Sequence, residues 1–180
     1  RRDFDNMNPH ADQVLAQTRE WLESMVLGLS LCPFAAAPYR SGRVRIVVSE
    51  ADTEAGLLQA LAEELQLLAA TDAQETETSL LVHPAVLQDF EAYNQFLDAV
   101  DALIEDLDLD GVLQVASFHP DYRFADADAD DPANGTNRSP FPMLHVLRED
   151  SIEAVLDAGA DSQAISERNI ALLRERAGRH

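Results

Sequence analysis

The stretch Val112-Leu113-Gln114-Val115-Ala116-Ser117-Phe118-His119-Pro120 is the one on which the fold turns. Apolar and β-branched residues run from Val112 to Phe118, Gly111 breaks the chain in front of them, and Pro120 stops pairing behind. This is a strand. Ser79-Leu80-Leu81-Val82 ends in the same way, on His83 and Pro84, and residues 43–49 (Arg43-Val44-Arg45-Ile46-Val47-Val48-Ser49) form a third such run. Helical spacing fills the gaps. Leu57, Leu58, Leu61, Leu65 and Leu68 share one face of a helix capped by Asp52 or Thr53 and ending near Ala70. Leu87, Phe90, Phe96, Leu97, Val100, Leu103 and Ile104 share a face of another over 86–107.

Outward from this centre, residues 10–31 predict an N-terminal helix, with Val14, Leu15, Trp21, Leu22, Met25, Val26 and Leu29 on its apolar face and Pro33 as its terminator. Residues 119–142 show no period. Leu144–Leu147 reads as a fourth strand, antiparallel to the third if the loop returns at the same sheet edge. Two helices follow, over 151–158 and 162–177, with Ser151 and Asp161 as caps. The expectation is an α/β fold: a single domain over 9–178 with a small, mainly parallel sheet (βαβαβ). An N-terminal helix, a long functional loop, an antiparallel fourth strand and two C-terminal helices complete it. Residues 1–8 are expected to be a flexible tail.

Composition narrows the function. The chain has 33 acidic and 13 basic residues, a net charge of −20. Such a surface repels nucleic acid and anionic membranes, so neither is expected as a partner. No apolar run is long enough for a transmembrane span, and no signal peptide is evident, so a cytoplasmic protein is expected. All 13 basic residues are arginines. Without lysine there is no Schiff base, hence no covalent pyridoxal phosphate (PLP), and no Walker-type phosphate loop. The single cysteine, Cys32, excludes an intrachain disulfide and a cysteine-rich zinc cluster. The run Asp126, Asp128, Asp130 opens like a calcium loop but has Asp131 where the glycine belongs and Asn137 where the glutamate belongs.

The candidate chemistry lies from His119 to Arg148, together with His83. If the strands are parallel, His83 and His119 both emerge at the carboxyl edge of the sheet, where open α/β sheets bind ligands. As simple strand terminators, the two rings would instead cap loops. His145 would join them if its strand pairs antiparallel with the third. Three neutral imidazoles would then offer a site for zinc, iron or manganese, with a coordination position left for water or substrate. Without metal, His119 and His145 would act as acid and base. Arg138 and Arg148 are candidate clamps for an anionic group, with Tyr122 and Asn137 as substrate contacts.

The segments Trp21-Leu22 through Leu31-Cys32-Pro33-Phe34, Leu81-Val82-His83-Pro84, Asp89-Phe90 with Tyr93-Asn94, and Ser117-Phe118-His119-Pro120 carry a resemblance. So do Thr136-Asn137-Arg138-Ser139-Pro140 with Pro142, His145-Val146-Leu147-Arg148-Glu149, and Glu167-Arg168-Asn169. Together they are similar to the bacterial and plastid family catalogued as domain of unknown function 1415, over nearly the whole chain after residue 10. The resemblance implies an intracellular protein of about this length and supplies no mechanism.

Three functions follow as expectations. The first is an enzyme acting on a small polar or anionic substrate at the carboxyl edge of the sheet, foremost a metal-assisted hydrolase using His83, His119 and His145. The second is a non-catalytic, anionic-metabolite-binding or regulatory module using Arg138 and Arg148. The third is a structural protein whose loop locks itself through Arg–Asp pairs while the acidic surface meets a partner protein. The oligomeric state is not encoded in any of these features.

Overall fold

A computed structural model describes residues 9–29, 31–32 and 35–179. The expected tail at 1–8 and the terminator Pro33 lie outside the described residues. The elements, in order, are α1 (Pro9–Trp21), which runs on as a π-helical turn (Leu22–Leu27), then α2 (Ala36–Arg40), β1 (Val44–Val48), α3 (Glu54–Ala70) and β2 (Thr78–Val82). They continue with α4 (Phe90–Asp106), β3 (Leu113–Phe118), a 3₁₀ turn (Pro132–Asn137), β4 (Met143–Arg148), α5 (Glu149–Asp157) and α6 (Ser162–Ala177). Local chemistry sets the ends: Thr53, Asp89 and Asp161 each accept hydrogen bonds from backbone amides of the first helical turn.

The α/β class and the strands hold, but the pairing differs from the expected mainly parallel sheet. The strand order is β1-β2-β4-β3. β1 and β2 pair in parallel, whereas β4 runs antiparallel to both β2 and β3. The first three strands therefore point the same way, as expected. The crossover through α4 leaves one strand-width open between β2 and β3, and β4 returns into it. Only one neighbouring pair remains parallel.

Two apolar layers enclose the sheet. On one face, Leu57, Leu61 and Leu65 of α3 and Tyr93, Phe96 and Val100 of α4 pack with Leu81, Leu144 and Val146. On the other, Val14, Leu22 and Val26 pack with Leu80, Val82 and Met143. The alternation along β4, Met143 to one side and Leu144 to the other, is the pleat of a strand buried on both faces.

Tyr93 ties α4 to the sheet. Its hydroxyl accepts from the Phe118 amide at 3.0 Å and donates to the Met143 carbonyl at 2.7 Å, bridging β3 and β4 at their shared end. The ring is fully buried, and burial raises the phenol above its ordinary pKa. Tyr93→Phe leaves a buried donor and acceptor apart, so a loss of about 2–3 kcal/mol is expected in urea denaturation. A change below about 0.5 kcal/mol would mean that the strands re-close without the hydroxyl.

Candidate functional site

His83 and His119 reach the carboxyl edge, one residue beyond the ends of β2 and β3, and both are fully buried. His83 Nδ1 lies 3.0 Å from the Val86 carbonyl, and His119 Nε2 lies 3.0 Å from the Leu87 carbonyl. A carbonyl only accepts, so each of these nitrogens carries its proton. His119 Nδ1 accepts from the Asp121 amide at 3.0 Å. Both nitrogens of His119 are thereby committed inside the protein. The two rings pin the turn between β2 and α4, where Leu87 sits at φ 62°, a left-handed conformation that is strained for leucine. Tyr93 lies between them, with ring centroids 5.8 Å from His83 and 5.0 Å from His119.

His145 does not join this pair. It lies opposite Leu80 of β2 and Ala116 of β3, so the antiparallel pairing its approach required is present. Parity defeats the convergence. Side chains alternate along a strand, and His145 shares the face of Met143. His83 and His119, one residue past Val82 and Phe118, fall on the face of α4. The expected three-histidine metal centre therefore does not assemble. Among the described residues no group of three or more His, Cys, Asp or Glu side chains is placed to hold a metal ion.

The arginines are also engaged by the protein. Arg148 donates through Nε to the Glu77 carbonyl at 3.2 Å, and through Nη2 to the carbonyls of Leu68, Thr71 and Thr76 at 3.1, 2.8 and 2.7 Å. Its fork closes the C-terminal end of α3 rather than facing an anion, a correction to the clamp role expected of it. Arg138 donates to the carbonyls of Tyr122 (3.0 Å) and Ala129 (2.8 Å). Asn137 donates to the Ser117 carbonyl, and its own carbonyl accepts from the His119 amide. Tyr122 packs against Phe90 and Phe124. Asn134, fully buried, accepts from the Phe124 amide and donates to the Asp128 carbonyl. The loop from 119 to 142 is thus stapled by its own side chains. Those staples are mainly side chain to backbone, with one Arg–Asp pair from outside the loop, Arg174 to Asp131.

The cavity lies elsewhere, on the opposite face, between the sheet and the N-terminal helices. Its volume is about 70 Å³, it is partly open to solvent, and its walls include Trp21, Leu22, Val26, Leu80, Phe118 and His145. The π-helical turn supplies one wall. Tyr39, also lining it, donates to Glu23 at 2.6 Å and so ties α2 to that turn. Asn169 of α6 donates to the Leu31 carbonyl at 2.6 Å and fixes the segment that carries Cys32.

His145 is one of the polar residues in these walls, with Glu77, Thr78 and Arg148 among the others. Thr78 Oγ1 donates to the Val146 carbonyl in a short contact and lies 2.7 Å from His145 Nε2. The hydroxyl proton is already directed at Val146, so Nε2 carries the proton of the second bond and Nδ1 is left as a bare acceptor. No described residue bonds to Nδ1. Among the described residues the sealed polar atoms without a partner are Ser79 Oγ and His83 Nε2; His145 Nδ1 is not one of them, and His145 lines the cavity. Burial pushes the pKa of His145 down to about 4, which keeps the ring neutral. The apolar periodicity of residues 10–31 marked this helix face as core, and nothing in that pattern marks a face that packs incompletely.

The chain belongs to the family described as Protein of unknown function (DUF1415), whose profile matches residues 13–179. No curated protein and no solved structure matches it. Among the described residues, no helix is long and apolar enough to cross a membrane.

Proposed function

We propose that this chain is a small-molecule-binding protein whose site is the apolar cavity beneath the N-terminal helices, with His145 as its polar anchor. One observation carries the reading: a neutral imidazole held by Thr78 presents an unpartnered Nδ1 to a cavity walled mainly by hydrocarbon. An apolar cavity with a fixed polar group is the usual form of a small-ligand site. Binding is favoured over catalysis. A ring whose pKa lies near 4 is a weak base at neutral pH, far from the match to operating pH that general-base chemistry favours.

The metal-assisted hydrolase at the sheet edge has less support, because His119 has no free nitrogen and His145 faces away from it. The anion-binding module retains one feature, an open cleft lined by Arg123 and Arg138, but Glu91, Asp121 and Asp130 line it too and oppose an anion.

Ala35 lines the cavity, so Ala35→Phe fills it without removing a hydrogen bond. Thermal unfolding of both proteins is the test, with butan-1-ol as ligand. The wild type is expected to gain stability with concentration, by about 1.4 kcal/mol at ten times the dissociation constant, and the filled variant is not. Equal responses from the two, or none from the wild type, would refute the site.

A further inference from the structure

Resting on that reading, we infer that the cavity selects neutral ligands that donate one hydrogen bond, short-chain alcohols being the class, and discriminates against carboxylates. The tautomer decides it. Val146 accepts the Thr78 proton, Thr78 accepts the His145 Nε2 proton, and the chain of donors ends at an Nδ1 that can only accept. An ether oxygen or a carboxylate brings a second lone pair to that point and finds no proton. Arg148 is the cationic group on the lining, and its Nε and Nη2 are held by four carbonyls. Glu77 adds negative charge at the rim, paired with Arg43 at 3.6 Å. The net charge of −20 acts against anions everywhere. For cations, the walls are mainly hydrocarbon from Leu22, Val26, Leu80 and Phe118, the carboxylate on them, Glu77, is already paired with Arg43, and a buried ammonium without a counter-charge of its own is costly. Size sets the chain length. An apolar cavity of about 150 Å³ takes up benzene; at about 70 Å³ this one suits a short alkyl chain.

The test uses four probes of similar size on the intact protein: butan-1-ol, its isomer methyl propyl ether, butyrate and butylammonium. Trp21 is the sole tryptophan and lines the cavity, so its emission reports occupancy directly. The same titrations on Ala35→Phe serve as the blank. Butan-1-ol is expected to bind at least tenfold more tightly than each of the others. Equal binding of the ether would show that Nδ1 contributes nothing. Preference for butyrate would show a protonated ring, and preference for butylammonium would show that the rim charge dominates. Each of these three outcomes overturns the selectivity and leaves the cavity as a site. Silence from all four probes overturns both.

Discussion

Replacing Arg148 with methionine is expected to lower the unfolding free energy by about 3–5 kcal/mol, among the largest effects of any single change in this chain. The guanidinium gathers four carbonyls: two from the end of α3, at Leu68, which also accepts from the Thr71 amide, and Thr71, and two from the approach to β2, at Thr76 and Glu77. The last carbonyls of a helix have no intrahelical partner, and here they turn inward against β4. Methionine keeps the stem's packing and removes every donor. Arg148→Lys should recover less than half of the loss, because an ammonium cannot span four acceptors with a planar fork. Urea denaturation measures both. A loss below about 1 kcal/mol would mean that water replaces the fork, and that the α3 end is held by packing alone.

The second large effect is in pH. Burial, opposed by the bond to Val86 and aided by nearby His119, lowers the pKa of His83 from 6.5 to about 4. Above pH 6.5 the ring is neutral in both folded and unfolded chains and contributes no pH dependence. As the pH falls below 6.5 the unfolded chain takes up a proton that the folded chain refuses, so stability declines until pH 4 and then levels. The loss is about 3 kcal/mol, from about 1.4 kcal/mol per pKa unit. Carboxylates titrate in the lower part of this window, so the comparison is with His83→Gln, which keeps a donor for Val86 and does not titrate. The wild-type stability should fall by about 3 kcal/mol more than that of the variant between pH 6.5 and 4. Parallel curves would show that His83 takes its proton in the folded state.

The strands were legible because each carries its own punctuation. His83-Pro84 and His119-Pro120 stop β2 and β3 one residue after the ladder ends, and Gly111, at φ 75°, stands before β3 in a conformation that suits glycine. The place of β4 was not legible, since a strand read as β3's neighbour pairs equally well on its other side, and no local pattern says whether that side is open. The same gap explains the site. His145 was found, and its antiparallel pairing with β3 was foreseen, yet the face it occupies depends on its parity relative to Phe118. That parity is fixed by the register Ala116 opposite His145, which the length of the loop from 119 to 142 sets and composition does not. The partners of the arginines were hidden for another reason. A charged side chain in a loop promises a ligand, but Arg138 and Arg148 meet backbone carbonyls that only the folded chain brings to them. The π-helical turn at Leu22–Leu27 left no mark in the periodicity, although such turns often sit at functional sites.

Xenon occupancy in crystals of the protein tests the central claim most directly, because xenon enters apolar cavities without regard to hydrogen bonding. Density between Trp21, Leu80 and His145, absent in crystals of Ala35→Phe, is the result this account expects. An undisturbed cavity, with xenon absent or bound only beside Phe90 at the carboxyl edge of the sheet, would contradict it.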